Sequence, residues 1–132
     1  MDKVKLVPVS SLKVGSYVII DNVACLVKDI QISRPGKHGH AKARISAVGL
    51  FDGKTHVTVM PGHDNIEVPI IEKRTAQVLS INNNIANVMD IESYETFNLE
   101  IPEELKDSVK EGVHVLYWVV LDNKIMKQVK GE

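Results

Sequence analysis

The stretch 23–51, "VACLVKDIQISRPGKHGHAKARISAVGLF", decides how the chain folds. It opens and closes on β-branched and aliphatic residues and is interrupted at 33–42, "SRPGKHGHAK", where nothing would bury. Alternate residues of a strand face opposite sides, so Val23, Cys25 and Val27 share one face while Ala24, Leu26 and Lys28 share the other. With "ARISAVGLF" (43–51) as the returning strand, the stretch predicts a long hairpin with 33–42 at its tip. Working outward, "SYVIID" (16–21) precedes it across the turn pair Asp21-Asn22. "DGK" (52–54) leads into "THVTVMP" (55–61) as a further hairpin. Pro8, Pro35, Pro61 and Pro69 all fall at the ends of apolar runs, where a missing N–H costs little.

A second set of strands is predicted from near Glu67. "EKRTAQVLSI" (72–81) turns at "NNN" (82–84) into "IANVMDI" (85–91), and "YETFNLEI" (94–101) follows with Phe97, Leu99 and Ile101 on its core face. "PEELKDSVKEG" (102–112) predicts the one short helix. Pro102 suits a first turn, Glu103 and Glu104 complement the dipole, and Gly112 ends it. Leu105 and Val109 give this helix a single apolar stripe. "VHVLYWVVL" (113–121) and "KIMKQV" (124–129), joined at Asp122-Asn123, close the chain. About ten strands and one short helix point to an all-β protein of two small β-barrel domains, 1–69 and 70–132. Five strands with a helix before the fourth match the element count of an OB-fold in the second.

Composition narrows the classes. Apolar residues make up 44% and charged residues 25% of 132, which suits a globular chain rather than a disordered one. No apolar run reaches the roughly 18 residues of a membrane span. "MDKVKLVPVS" opens with charges and has no apolar signal region, so secretion is not expected, and the single Cys25 fits a reducing cytoplasm as a small buried hydrophobe. Net charge is −1, but residues 1–74 hold 11 Lys/Arg against 7 Asp/Glu, and 75–132 hold 5 against 10. Between Asp29 and Asp52 there is no acid, while Arg34, Lys37, Lys42 and Arg44 all lie there. Such a patch attracts a polyanion locally although the whole chain is near neutral.

The loop admits several chemistries, and most fail on residue type. A Walker phosphate cradle needs an earlier glycine, a Ser/Thr after the lysine and a following helix, and none is present. A zinc site needs three or four ligands, whereas His38 and His40 have no carboxylate beside them and Lys37 and Lys42 repel a cation. No metal site is therefore expected, and His56 and His63 could approach only through a fold that the sequence does not foretell. A catalytic lysine needs burial or a partner acid, and Gly36 and Gly39 argue for an exposed tip instead. Two readings stay open on the residues alone: a lysine presented on a thin tip, and a basic turn with no special role.

At this point the residues resemble a known family. "SRPGKHGHAK" is similar to the modification-loop motif of the hypusine-containing translation initiation factor 5A family of archaea and eukaryotes, related to bacterial elongation factor P. "SSLKVGSYVIIDNVACLVKDI", "EVPIIEKRTAQVLSI" and "YETFNLEIPEEL" extend the resemblance over nearly the whole chain, whose short ends look like the archaeal branch. The resemblance implies an SH3-like first barrel, an OB-fold second domain, and no enzymatic activity. It implies that Lys37 receives the aminobutyl group of spermidine from deoxyhypusine synthase, giving deoxyhypusine or hypusine with no separate cofactor. It places Ser33, Arg34, Pro35, Gly36, His38, Gly39, His40 and Ala41 in the modification loop. The implied partners are the ribosome (its rRNA) and peptidyl-site tRNA, whose acceptor end the modified lysine would position to relieve stalling and assist termination. Membranes and DNA are not expected partners. Arg34, Lys42 and Arg44 are candidate phosphate contacts. The competing expectation is a general single-stranded RNA-binding module using the unmodified basic loop.

Overall fold

A computed structural model of the chain describes residues 3–34 and 40–130. The chain divides into two compact units, residues 1–70 and 71–132. All regular structure among the described residues is β-strand apart from two 3-10 turns.

In the first unit the strands are β1 (Val4–Pro8), β2 (Tyr17–Ile20), β3 (Val23–Ser33), β4 (Lys42–Gly49), β5 (Thr55–Pro61) and β6 (Asn65–Pro69). Strands β2-β3-β4-β5 form one antiparallel sheet in that order, and β1 pairs with β6. Asp21 and Asn22 both take positive φ, 55° and 64°, which twists the β2–β3 turn as a two-residue hairpin requires. The expected long hairpin is β3–β4, in register from Cys25↔Gly49 to Ser33↔Lys42 with a bulge between Val27 and Asp29. Along β4 burial alternates, with Ala43, Ile45 and Ala47 inside, so its outward residues begin with Lys42 and Arg44. The core joins Val18, Cys25, Val27 and Ile45 to Val9, Ile66 and Val68. The strand near Glu67 therefore belongs to the first unit and not to the second set. In its partner β1 burial does not alternate cleanly, since Leu6 is exposed while Val4 and Val7 are half-buried, so the five-residue strand carries no clear period-two pattern.

In the second unit β7 (Glu72–Asn82), β8 (Ile85–Asp90), β9 (Thr96–Glu100), β10 (His114–Val120) and β11 (Asn123–Val129) form a five-stranded antiparallel sheet in the order β11-β10-β7-β8-β9. The outer strands β9 and β11 come together, so the sheet curls toward closure. Leu99 and Ile101 are buried and Phe97 packs against the same core, as the alternation of 94–101 predicts. Val78, Val88, Val115, Tyr117 and Met126 complete that core.

The helix expected over 102–112 shrinks to a 3-10 turn, Glu103–Leu105. Pro102 is extended, with ψ 146°, and no side chain caps the turn. Asp107 and Ser108 disfavour a helix interior, and one apolar pair is too little to hold a short helix that nucleates at a cost. The last turn also lies one residue early. Leu121 and Asp122 carry the positive φ values, 48° and 69°, and Asn123 already starts β11.

Candidate functional site

The long hairpin's open end is where the sequence concentrates its chemistry. Ser33 faces Lys42, and Lys42 faces Pro61, so three strands come together at this end of the sheet. A backbone bond from Gly62 N–H to the Ala41 carbonyl, 2.8 Å, ties the returning arm to the segment after β5. A Cβ on Gly62 would lie 3.2 Å from Ala41 Cβ and 3.3 Å from its carbonyl oxygen, so the glycine permits that close approach. The His40 and His63 rings meet edge to face at 5.9 Å on the same side. The loop residues Pro35, Gly36, Lys37, His38 and Gly39 lie outside the described residues.

Around this base is an open groove of about 680 Å³ with an apolar floor that includes Val9, Leu12 and Ile30. Lys13, Arg34, His40 and His63 stand along it. The three candidate phosphate contacts are thus split. Arg34 lines the groove, whereas Lys42 and Arg44 point outward in file along β4. All three are exposed, and among the described residues none is in an ion pair. Cations left without carboxylate partners keep their charge available to an anion.

Among the described residues no three His, Cys, Asp or Glu side chains come together to hold a metal ion. His63 is taken up by His40, and His56 bonds two carboxylates, Asp21 at 3.1 Å and Asp52 at 2.8 Å. His56 therefore bridges the β2–β3 turn and the β4–β5 turn at the end of the sheet remote from Ser33 and Lys42. Its hydrogen bonds to the Asp21 and then the Asp52 carboxylate, which accept from the charged ring, hold its pKa above the ordinary imidazole value. Cys25 is fully buried, and desolvation pushes its thiol pKa up, so it stays protonated and inert.

One cluster in the second unit escaped the sequence reading. Asp90, 1% exposed, accepts two bonds from Arg74, at 2.7 and 3.0 Å, and one from the Tyr117 hydroxyl. It also accepts the backbone N–H groups of Glu92 and Ser93, which shapes the β8–β9 turn. Arg74 chiefly, helped by Tyr117 and those N–H groups, holds the Asp90 carboxyl far below the usual carboxylate range despite burial. Burial, then the neighbouring carboxylate, drives the Tyr117 hydroxyl upward, so it remains a donor. The available signal was an acid closing the apolar run "IANVMD", where alternation places position 90 on the inner face. No helix among the described residues is long and apolar enough to cross a membrane.

Comparison with known proteins matches this arrangement. The family profile described as translation initiation factor 5A-like, N-terminal, covers residues 3–64. Translation initiation factor 5A of Pyrococcus furiosus is 48% identical over 99% of this chain and 97% of its own. That of Methanothermobacter thermautotrophicus is 47% identical over 96% of this chain and 98% of its own. The solved structure titled eukaryotic translation initiation factor 5A from Methanococcus jannaschii superposes with a TM-score of 0.89 at 42% identity, covering 98% of this chain and 97% of that one. A translation initiation factor eif-5a family protein from Naegleria fowleri gives 0.74 at 25% identity, covering 98% and 100%. With near-complete coverage at such identity, and the two curled sheets to match, the chain belongs to the translation initiation factor 5A family and is a translation factor.

Proposed function

We propose that the working group of this translation factor is Lys37 carrying an aminobutyl extension from spermidine, installed by deoxyhypusine synthase as deoxyhypusine or hypusine. The observation that carries the reading is the base of the loop. Paired strands, the Gly62–Ala41 bond and unpaired cations form a fixed cationic platform at the root of a glycine-flanked lysine. The four-carbon addition roughly doubles the reach of the lysine stem and adds a second cationic nitrogen. On the ribosome, Arg34, Lys42 and Arg44 contact phosphate and set position without reading sequence. The extended amine then lies along the acceptor end of peptidyl-site tRNA and restricts its motion. That contribution is orientational, and bond making remains the ribosome's. In this reading the factor is not itself an enzyme and works in the cytoplasm.

The test is Lys37→Arg, which keeps one charge but cannot accept the aminobutyl group. In reconstituted translation, modified wild type should stimulate a polyproline reporter and Lys37→Arg should not. Equal stimulation by the two proteins overturns the proposal. Equal affinity of wild type and Lys37→Ala for free single-stranded RNA, together with equal stimulation, would instead identify a general RNA-binding module.

A further inference from the structure

The end of the first unit remote from the loop holds one imidazole between two carboxylates. His56, on β5, meets Asp21 through Nδ1 at 3.1 Å and Asp52 through Nε2 at 2.8 Å. Its side chain is 14% exposed, against 71% for Asp21 and 30% for Asp52. An ionised carboxylate only accepts, so both contacts are hydrogen bonds only while both ring nitrogens carry protons. Strands β2 and β5 are the two edges of their sheet and approach each other, yet no ladder pairs them. The His56–Asp21 contact therefore ties the turn after β2 to β5 across that seam.

The two carboxylates are not equivalent. Asp52 is held in place independently of the ring: its Oδ1 accepts the Lys54 N–H at 2.9 Å. It also lies over Gly49, where a Cβ would collide with Oδ1. That N–H chiefly, and then His56, keep the Asp52 carboxyl below its ordinary range. Asp21, among the described residues, has His56 as its one side-chain partner. The other charged or titratable groups around the three are few. Lys54 shares the β4–β5 turn with Asp52, and the Cys25 thiol on β3 lies within the field of both carboxylates. Strand β4 sets Ala47 opposite His56, and β2, "YVII", brings no charge.

We propose that His56 is a one-sided, proton-operated clasp: protonated it joins both turns, and deprotonated it keeps Asp52 and lets Asp21 go. When the ring gives one proton to water, Nε2–H stays on the fixed Asp52 and the bare Nδ1 lone pair faces the Asp21 carboxylate. Two acceptors at that distance repel, and Asp21 swings into the solvent to which it is already largely exposed. Asp21 and Asn22, at φ 55° and 64°, are the whole of the β2–β3 turn, so its release loosens the adjoining Ile20–Val23 pair. Because the two carboxylates raise the His56 pKa, the clasp is complete below the unfolded value of about 6.5. It opens as pH rises through the folded value. The change is local, since Val18 and Cys25 behind the turn are fully buried in the core. The clasp lies at the far end of the sheet from Ser33 and Lys42 and does not depend on modification of Lys37.

Val27 donates to the Ser16 carbonyl at 2.8 Å, so by alternation the next ladder bonds join Val18 with Cys25 and Ile20 with Val23. The test is amide hydrogen exchange of the full chain, expressed as protection factors from about pH 5.5 to about pH 9, on either side of the imidazole titration. Protection at Ile20 and Val23 should fall about two- to fivefold through the His56 titration, the range of one exposed ion pair. Amides of the second unit should keep theirs. Long-range proton–nitrogen NMR spectra at the high-pH end should find the remaining ring proton on Nε2. In Asp21→Asn the fall should vanish, because an amide donates to the bare nitrogen as readily as it accepts from the protonated one. Asn also tolerates the positive φ of this position, so the variant keeps the turn. Flat protection in the wild type, an equal fall in Asp21→Asn, or a ring proton found on Nδ1 overturns the proposal. If Asp21→Asn misfolds, His56→Gln, which cannot titrate, should give the same flat profile, and a fall there overturns it equally.

Discussion

Replacing Asp90 by Asn keeps the side chain's size and removes its charge. Asp90 accepts five hydrogen bonds, two of them a fork from Arg74. An Asn oxygen can still serve the Glu92 and Ser93 N–H groups, but its NH2 then confronts Arg74 and the Tyr117 hydroxyl. Breaking a buried ion pair by removing one partner costs about 3–5 kcal/mol. The Arg74 side chain is 25% exposed and recovers some hydration, so the lower end, about 3 kcal/mol, applies. For a unit of about sixty residues, whose whole stability is roughly 3–9 kcal/mol, that is a large fraction. Trp118 is the only tryptophan and lies in this unit, so its fluorescence in a urea titration reports the loss directly. With a slope of about 1.5 kcal/mol/M, the midpoint should fall by about 2 M. A shift under about 0.3 M refutes the reasoning. Arg74→Met made in the Asp90→Asn background should cost far less than Arg74→Met alone, with a coupling of about 1–3 kcal/mol. The depressed Asp90 pKa gives a matching acid signature. Its contribution is complete above the unfolded value of about 3.9 and is lost as pH falls below that toward the folded value. Asp90→Asn should therefore flatten the stability of this unit below about pH 4.

Three further outcomes follow from the first unit. The imidazole of His56 should titrate above about 6.5 by NMR, and Asp21→Asn should lower it; because its folded pKa is raised, the bridge stabilises fully below that value and is lost as pH rises through the folded one. If Asp21→Asn leaves the His56 titration unmoved, the bridge is not the cause. Cys25 should resist a thiol-specific reagent at pH 8 until denaturant is added, and rapid stoichiometric labelling of native protein would contradict its burial. Gly62→Val should force Ala41 away at the loop base, cost about 1–3 kcal/mol and slow modification of Lys37, as followed by melting and intact mass. Wild-type rates of modification would remove the base from the functional account.

Much of this protein is written in its local sequence. The continuous apolar run "VACLV" and the period-two alternation in "ARISAV" set β3 and β4, and Asp21-Asn22 sets the turn before them. The basic, acid-free interval 30–51 marks the loop as the chemical end of the first unit. These features are local, since each depends on neighbours within a few residues and on the two-sided geometry of a strand. Tertiary structure decided what depends on register between distant strands. It placed β1 on β6, and it brought Asp21 and Asp52 to either side of one imidazole. It drew Arg74 and Tyr117 onto a carboxylate that in sequence only closes an apolar run. It also reduced 102–112 to a 3-10 turn, because helix formation there relied on a single apolar pair. Lys73, Trp118, Lys127 and Lys130 are spread over nearly sixty positions and share no sequence motif. Antiparallel pairing, with the bulge at Lys127, brings Lys73 and Lys127 to the two sides of the Trp118 ring.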